Sequence, residues 1–288
     1  MSAKSHPSSP LVLHDVAGLR AQVRAWRAAG ERVALAPTMG ALHAGHVSLV
    51  EEGLRRADRV IATVFVNPTQ FAPTEDFSKY PRTLPADVEK LAQVGCDLCF
   101  APDVAEMYPE GFATTVTLTG PAKVDLEDHF RPTHFAGVAT IVAKLLNQAQ
   151  ADCAIFGEKD YQQLRVITRL ARDLDIPTEI VGAQTVREAD GLAMSSRNVY
   201  LSADERARAP AMYRALNHAA AKIREGEVIG HEMTEAREML VEAGVMVDYI
   251  GARHAETLER IARRIEGPIR LLAAGKLGQT RLIDNIAV

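Results

Sequence analysis

Cysteine is scarce in this chain of 288 residues: three occur, at positions 96, 99 and 153. Two of them form Cys96-Asp-Leu-Cys99, but no second Cys-x-x-Cys or His-x-x-x-His exists to complete the four ligands of a structural zinc. The segment GCDLCFAP reads instead as a buried strand after a helix, where positions three apart face opposite sides, so a redox or zinc pair is excluded. Such small buried thiols belong in a reducing compartment. Long apolar runs are missing too. No stretch approaches the roughly 20 residues that span a bilayer, and the opening MSAKSHPSSP is a polar tail without the apolar core of a secretion signal. The expectation is therefore no membrane partner and a cytoplasmic location. Charge of one sign is also lacking: 33 basic against 37 acidic residues leave a net charge of -4, which argues against a general nucleic-acid binder. There is no internal repeat.

What is present is an ordinary globular composition, 47% hydrophobic and 24% charged, over a length that exceeds one usual core. A helix from about Asp15 to Ala29 is followed by alternating strand and helix patterns. Candidate strands run over Arg32 to Ala36, Arg59 to Val66, Asp97 to Ala101, Asp152 to Phe156 and Thr178 to Val181. Candidate helices run over His46 to Arg56, Pro85 to Val94, Phe135 to Gln148 and Tyr161 to Leu174. That order predicts an α/β fold with a Rossmann-like doubly wound parallel sheet. Phe135, Val138, Val142, Leu145 and Ala149 recur at helical spacing and are assigned to the core. From about Arg187 the texture changes: a loop GLAMSSRN, a long helix beginning near Ser202, an acidic helix over Glu232 to Glu242, then the apolar segments VMVDYIGARH, PIRLLAAGKLG and RLIDNIAV. Two domains are expected, 1–186 and a smaller α+β domain over 187–288.

The segment VALAPTMGALHAGHVSLV, Val33 to Val50, passes from an apolar strand through two glycines and two histidines into an amphipathic helix. Backbone N–H groups at a helix start lack intrahelical acceptors and carry the positive end of the dipole, so an anion placed there satisfies both. Gly40 and Gly45 have P-loop spacing, but His46 and Val47 stand where Lys and Ser/Thr are needed, so the P-loop reading fails. What remains is an HxGH element whose imidazole N–H groups can donate to phosphate. Its plain alternative is two solvent-exposed histidines near a helix cap.

Ligands collect beyond the carboxyl ends of strands in open α/β sheets, and further polar loops fall there. Asn67-Pro-Thr-Gln70 offers an amide that both donates and accepts. Gly157-Glu-Lys-Asp160 sets a point charge, Lys159, before a helix whose first turn carries Gln163. Met194-Ser-Ser-Arg197 adds two hydroxyls and a planar guanidinium suited to phosphate oxygens. Each loop alone could be a turn or a cap. Arg131 and His134 read as polar punctuation before a helix and are taken as structural.

Taken together, PTMGALHAGH, FVNPTQF, YPRT, RPTHFAGVATIVAKL, FGEKDYQQL and TVREADGLAMSSRNVYLS closely resemble the pantothenate synthetase (pantoate-beta-alanine ligase) family, in order and spacing from about Val33 to Ser202. HxGH alone would indicate only the wider nucleotidyltransferase and class I aminoacyl-tRNA synthetase-like group. The resemblance implies a two-step ligation. Pantoate's carboxylate attacks the α-phosphorus of ATP and releases pyrophosphate; the amine of β-alanine then attacks pantoyl adenylate and releases AMP. It implies an ATP site at Met39, Gly40, Ala41, Leu42, His43, Ala44, Gly45, His46, Gly157, Glu158, Lys159, Asp160, Val186, Met194, Ser195, Ser196 and Arg197, with His46 as proton donor. His43, Lys159, Ser195, Ser196 and Arg197 share the developing charge. Gln70 and Gln163 match the pantoate contacts, and Gln70 also the β-alanine contact. Mg²⁺ accompanies the ATP, with no protein ligands indicated, and a homodimer is implied. The chain departs from the pattern at Leu126 to Phe130, where relatives commonly carry glycine, and its C-terminal third matches loosely. The second domain is therefore expected to close the cleft, with the MSSR segment as a lid. Two other readings stand beside this one. A different HxGH nucleotidyltransferase would release pyrophosphate but never AMP, and an ATP-responsive binding protein would bind without turnover.

Overall fold

The computed structural model describes residues 9–72 and 77–288; the polar tail, but for its last two residues, lies outside them. In chain order the elements are β1 (Leu11–Leu13), α1 (Val16–Ala28), β2 (Val33–Thr38), α2 (Ala44–Arg56), β3 (Arg59–Val64), α3 (Leu84–Val94), β4 (Leu98–Phe100), α4 (Val104–Met107), α5 (Glu127–Phe130), α6 (His134–Ala149), β5 (Cys153–Gly157), α7 (Tyr161–Asp173) and β6 (Glu179–Ala183). They continue with α8 (Ala203–Arg208), α9 (Ala211–Glu225), α10 (Ile229–Glu242), β7 (Met246–His254), β8 (Ile269–Leu277) and β9 (Thr280–Ala287).

Strands β1 to β6 form one parallel sheet in the order β1-β4-β3-β2-β5-β6. Along β2 the side chains divide: Val33 and Leu35 enter one apolar cluster, Ala34 and Ala36 the other. A strand covered on both faces has no need of alternation, which is why these runs are continuously apolar. The five expected strands are present. The sixth, β1, is not among them; three residues are too few to show a period, and its pairing with β4 is what makes it a strand. Phe135, Val138, Val142, Leu145 and Ala149 are buried as expected. So are the three cysteines, all free. Cys96 precedes β4 and, contrary to the opposite-face reading, shares an apolar cluster with Cys99. Burial pushes both thiols up to about 12, which leaves them inert.

Strands β7 to β9 form a separate antiparallel sheet in that order, with α9 and α10 contributing to the same core cluster. The long helix expected from Ser202 is two helices. Ser202 and Glu205 cap α8 reciprocally, and Pro210, which has no N–H to continue a ladder, begins α9. No helix among the described residues is long and apolar enough to cross a membrane.

The two sheets are tied by charge. Arg281 of β9 donates two bonds, 2.7 and 2.8 Å, to Glu127 of α5, and a third of 2.8 Å to Asp248 of β7. The Tyr249 hydroxyl donates to Glu127 at 2.9 Å. Burial opposes the Glu127 charge, yet Arg281 and Tyr249 hold its carboxyl below the usual carboxylate range. The departure at Leu126 to Phe130 thus carries the anchor for the second sheet. Removing one partner of a buried pair strands the other, so Glu127→Ala should cost about 3 kcal/mol in urea unfolding. Because the folded pKa is depressed, this contribution is complete above the unfolded value near 4.5 and is lost as pH falls below it, which unfolding at stepped pH will reveal.

Candidate active site

The sheet order makes β2 the neighbour of both β3 and β5, so the loops at their carboxyl ends converge. The turn from β2 to α2 is shaped from outside itself. Ala41 stands at φ 50, a conformation that a non-glycine residue holds only when constrained. The constraint is Asp87 of α3, fully buried, whose carboxylate accepts from Ala41 N at 3.0 Å, Leu42 N at 2.8 Å and the Thr83 hydroxyl at 3.1 Å.

Helix α2 then opens with two imidazoles as its caps. His43 Nδ1 accepts from Gly45 N at 3.1 Å, and His46 Nδ1 accepts from His43 N at 3.4 Å. Since Nδ1 is an acceptor in both rings, the proton of each neutral ring is assigned to Nε2. Any Cβ on residue 45 would lie 2.9 Å from the His43 ring, so this arrangement requires Gly45. Burial, then the nearby Lys159, pushes His43 down to about 4. Burial, His43 and Lys159 push His46 down to about 3. Both rings are neutral donors at physiological pH.

After β3, Asn67 caps the turn Pro68–Gln70 and donates to Gln70 Oε1 at 3.1 Å, while Gln70 Nε2 faces Met39 Sδ at 3.1 Å. The turn lies directly on α6. A Cβ at Gly137 would be 2.3 Å from Thr69 O, and only glycine admits that approach. His134 Nδ1 donates to Gln70 O at 3.0 Å, and Arg131 packs against His134 Nε2 at 3.2 Å. These two residues, taken as structural from sequence, do brace the glutamine, but they also line the cavity.

After β5, the turn carrying Lys159 is held by the second sheet. Asn285 of β9 donates to the carbonyls of Glu158 and Lys159, 2.9 Å each. Arg270 of β8 in turn holds Asn285 Oδ1 at 2.6 Å and Glu158 Oε2 at 3.0 Å. Lys159 Nζ lies 3.7 Å from Asp160, whose side chain is about half exposed, 49%, on the cleft; the surrounding walls oppose its charge, yet Lys159, His134, Arg131 and Arg197 hold its carboxyl low. The Met194–Arg197 segment is anchored upstream by Arg187, which donates to Asp284 at 2.6 and 2.8 Å and to Gly191 O at 3.0 Å.

These loops enclose a cavity of about 220 Å³. Of the residues expected from sequence, Met39, His43, Gly45, His46, Gln70, Gly157, Lys159, Asp160, Gln163, Val186, Met194, Ser195, Ser196 and Arg197 line it. Gly40, Ala41, Leu42, Ala44 and Glu158 lie behind the lining, in the turns that shape it. A second opening of about 600 Å³ shares Arg131, Lys159, Asp160, Ser195 and Arg197 and reaches the second sheet. Asp87, Asn285 and Arg270 are additional to the expected set; the site loops they hold are remote from them in sequence, and no local motif announces them. Arg131 and His134 had a signal, two polar residues just ahead of an apolar helix.

A family model described as pantoate-beta-alanine ligase matches residues 11–287. The chain belongs to the pantoate-beta-alanine ligase family. It is 57% identical to a pantothenate synthetase of Rhodopseudomonas palustris over 97% of this chain and 99% of that one. A pantothenate synthetase of Caulobacter vibrioides is 56% identical over 98% and 99%. Among solved structures, the pantothenate synthetase of Thermus thermophilus superposes with a TM-score of 0.91 at 46% identity, covering 96% of this chain and 98% of that one. The pantoate-beta-alanine ligase of Francisella tularensis, complexed with beta-gamma ATP and beta-alanine, gives 0.81 at 30% identity, covering 97% and 98%.

Two supports of the site can be tested directly. Asp87→Ala leaves buried N–H groups without acceptors, so stability should fall by about 3 kcal/mol and ATP affinity with it, read by denaturant unfolding and equilibrium titration. Asn285→Leu should lower the rate of the ATP-dependent step by about tenfold, because it releases the Lys159 turn, and should lower the melting temperature as well, because Arg270 and the carbonyls of Glu158 and Lys159 lose a buried partner while both sheets stay paired.

Proposed function

We propose a division of labour within this cavity for the family's reaction, the ATP-dependent condensation of (R)-pantoate with β-alanine to pantothenate, AMP and pyrophosphate through pantoyl adenylate. The observation that carries it is convergence: the Nε2–H donors of His43 and His46, Lys159, Ser195, Ser196 and Arg197 share one cavity with the amides of Gln70 and Gln163. ATP lies along the first group, over the start of α2. Pantoate is held by the two glutamines, which bond hydroxyls and a carboxylate without adding a charge that competes for the phosphates. Gln70 then serves β-alanine. A second reading, an ATP-binding protein without turnover, is disfavoured by donors clustered where a leaving group gains charge.

A carboxylate is ionised at neutral pH, so adenylation needs no general base. It needs alignment of the carboxylate with the α-phosphorus and neutralisation of the departing pyrophosphate. Lys159 and Arg197 supply fixed positive charge. His46 begins neutral, and an arriving triphosphate favours its protonated form, so proton donation to pyrophosphate follows ATP binding. In the second step the free-base amine attacks the acyl carbon, the acyl–phosphate bond breaks with AMP leaving on its electron pair, and the surplus proton on nitrogen passes to water.

Mg²⁺ fits this donor set in a restricted way. Among the described residues Asp160 is the one carboxylate in the lining, so most of the ion's ligands would be phosphate oxygens and water. The ion would disperse triphosphate charge. We further propose residues 187–288 as the unit that closes over the cavity, with Met194–Arg197 at its edge, a homodimer, and a cytoplasmic location consistent with three free thiols.

Pyrophosphate exchange into ATP should require pantoate, and AMP should appear on adding β-alanine; exchange without AMP would favour a different nucleotidyltransferase. His46→Ala should slow exchange by about 100-fold or more, whereas the double variant Gln70→Ala, Gln163→Ala should raise the pantoate KM and spare ATP binding. Both histidines are protonated in the unfolded chain below about pH 6.5 and neutral in the fold. Stability should therefore decline as pH falls from 6.5 toward 4, and His43→Gln should flatten that slope.

A further inference from the structure

Outside the cavities, α9 and α10 bring together a set of groups that the reaction does not use. His218 of α9 and Glu232 and Glu235 of α10 each place one ligand atom so that all three lie within 4.8 Å of one another. The two glutamates are three apart in sequence and so share a face of their helix. Glu232 is 2% exposed, and its Oε2 has no hydrogen-bond donor. His218 Nε2 stands 3.2 Å from Glu235 Oε1, yet it too is without a hydrogen bond of acceptable geometry. A carboxylate removed from water with an unpartnered oxygen is costly, and nature rarely leaves one so. A cation between the three side chains removes the cost.

We propose that His218, Glu232 and Glu235 form a binding site for a divalent transition metal, Zn²⁺ in the first instance. One imidazole nitrogen and two carboxylates match the borderline ligands of Zn²⁺, with a fourth position left for water. The imidazole selects against Mg²⁺, which prefers all-oxygen surroundings. The site is therefore distinct from the metal that accompanies ATP, and none of its three residues lines either cavity. The metal links the two helices that cover the second sheet, stiffening the unit that holds the Lys159 turn through Asn285.

The test uses the full chain, stripped of metal with a chelator and dialysed, then titrated with ZnCl₂ and separately with CoCl₂. One equivalent of Zn²⁺ should bind by elemental analysis without ATP, the melting temperature should rise, and Co²⁺ should give visible d–d bands of a four-coordinate site. His218→Ala and Glu232→Gln should each weaken binding by about tenfold or more and abolish the thermal gain. The same measurements on a His46→Ala background should be unchanged, which separates this site from the histidine pair of the cavity. If Glu232→Gln fails to fold, His218→Ala and Glu235→Gln, at more exposed positions, carry the test. Absence of stoichiometric binding, binding unaltered in the His218 and Glu235 variants, or binding lost with His46 would each overturn the proposal.

Discussion

The placement of β2 between β3 and β5 is the constraint on which the site depends. In a parallel sheet every strand ends on the same edge, but only neighbouring strands bring their loops within reach of one small ligand. The chain winds outward from β2 in both directions, so the loop carrying the histidines has the Gln70 turn on one side and the Lys159 turn on the other. None of these loops is large enough to hold a nucleotide. Their adjacency makes the cavity, and that follows from backbone hydrogen bonding between strands far apart in sequence.

Polar groups at this edge are organised in two tiers. Those lining the cavity are mostly donors or amides, and behind them further polar groups fix the backbone that carries them. From behind, Asp87 shapes the turn before α2 and Asn285 fixes the Lys159 turn, while Asn67 and His134 fix the Gln70 turn from within the lining itself. The second tier is expensive to disturb because its groups are desolvated and engaged. The reciprocal cap of His43 and His46 serves both tiers at once: Nδ1 of each ring satisfies backbone, leaving Nε2–H for a ligand. Neutrality of the free rings follows from their burial and from the same crowding with Lys159 that would bring phosphate close.

The C-terminal sheet is more than a cover. Through Arg281 and Glu127 it is joined to α5, and through Arg270 and Asn285 it holds the turn after β5. Closure of the cleft by residues 187–288, as proposed, would therefore be coupled to the position of Lys159 by two direct hydrogen bonds. The family match extends to residue 287, so the C-terminal third belongs to the family pattern although its motifs were expected to match loosely; its contribution is made largely with arginines and one amide spread over β8 and β9, not with a contiguous motif.

The sequence by itself determined the parts whose cause is local. Continuous apolar runs specify strands buried on both faces, helical spacing specifies the core face of α6, and the HxGH element specifies two donors at a helix start. The resemblance carried by six separated segments specified the family. Local reasoning failed where partners are distant. Three residues at Leu11–Leu13 become a strand only by pairing with β4, the helix after Ser202 breaks at Pro210, and Arg131 with His134 enter the cavity because α6 packs against the Gln70 turn. Tertiary structure alone decided that Asp87, Arg270 and Asn285 support the site, since the groups of the site that each engages, Ala41 and Leu42 for Asp87 and the Glu158–Lys159 turn for the other two, lie 45 or more positions away along the chain. A buried polar group is defined by what surrounds it, and no stretch of sequence contains its surroundings.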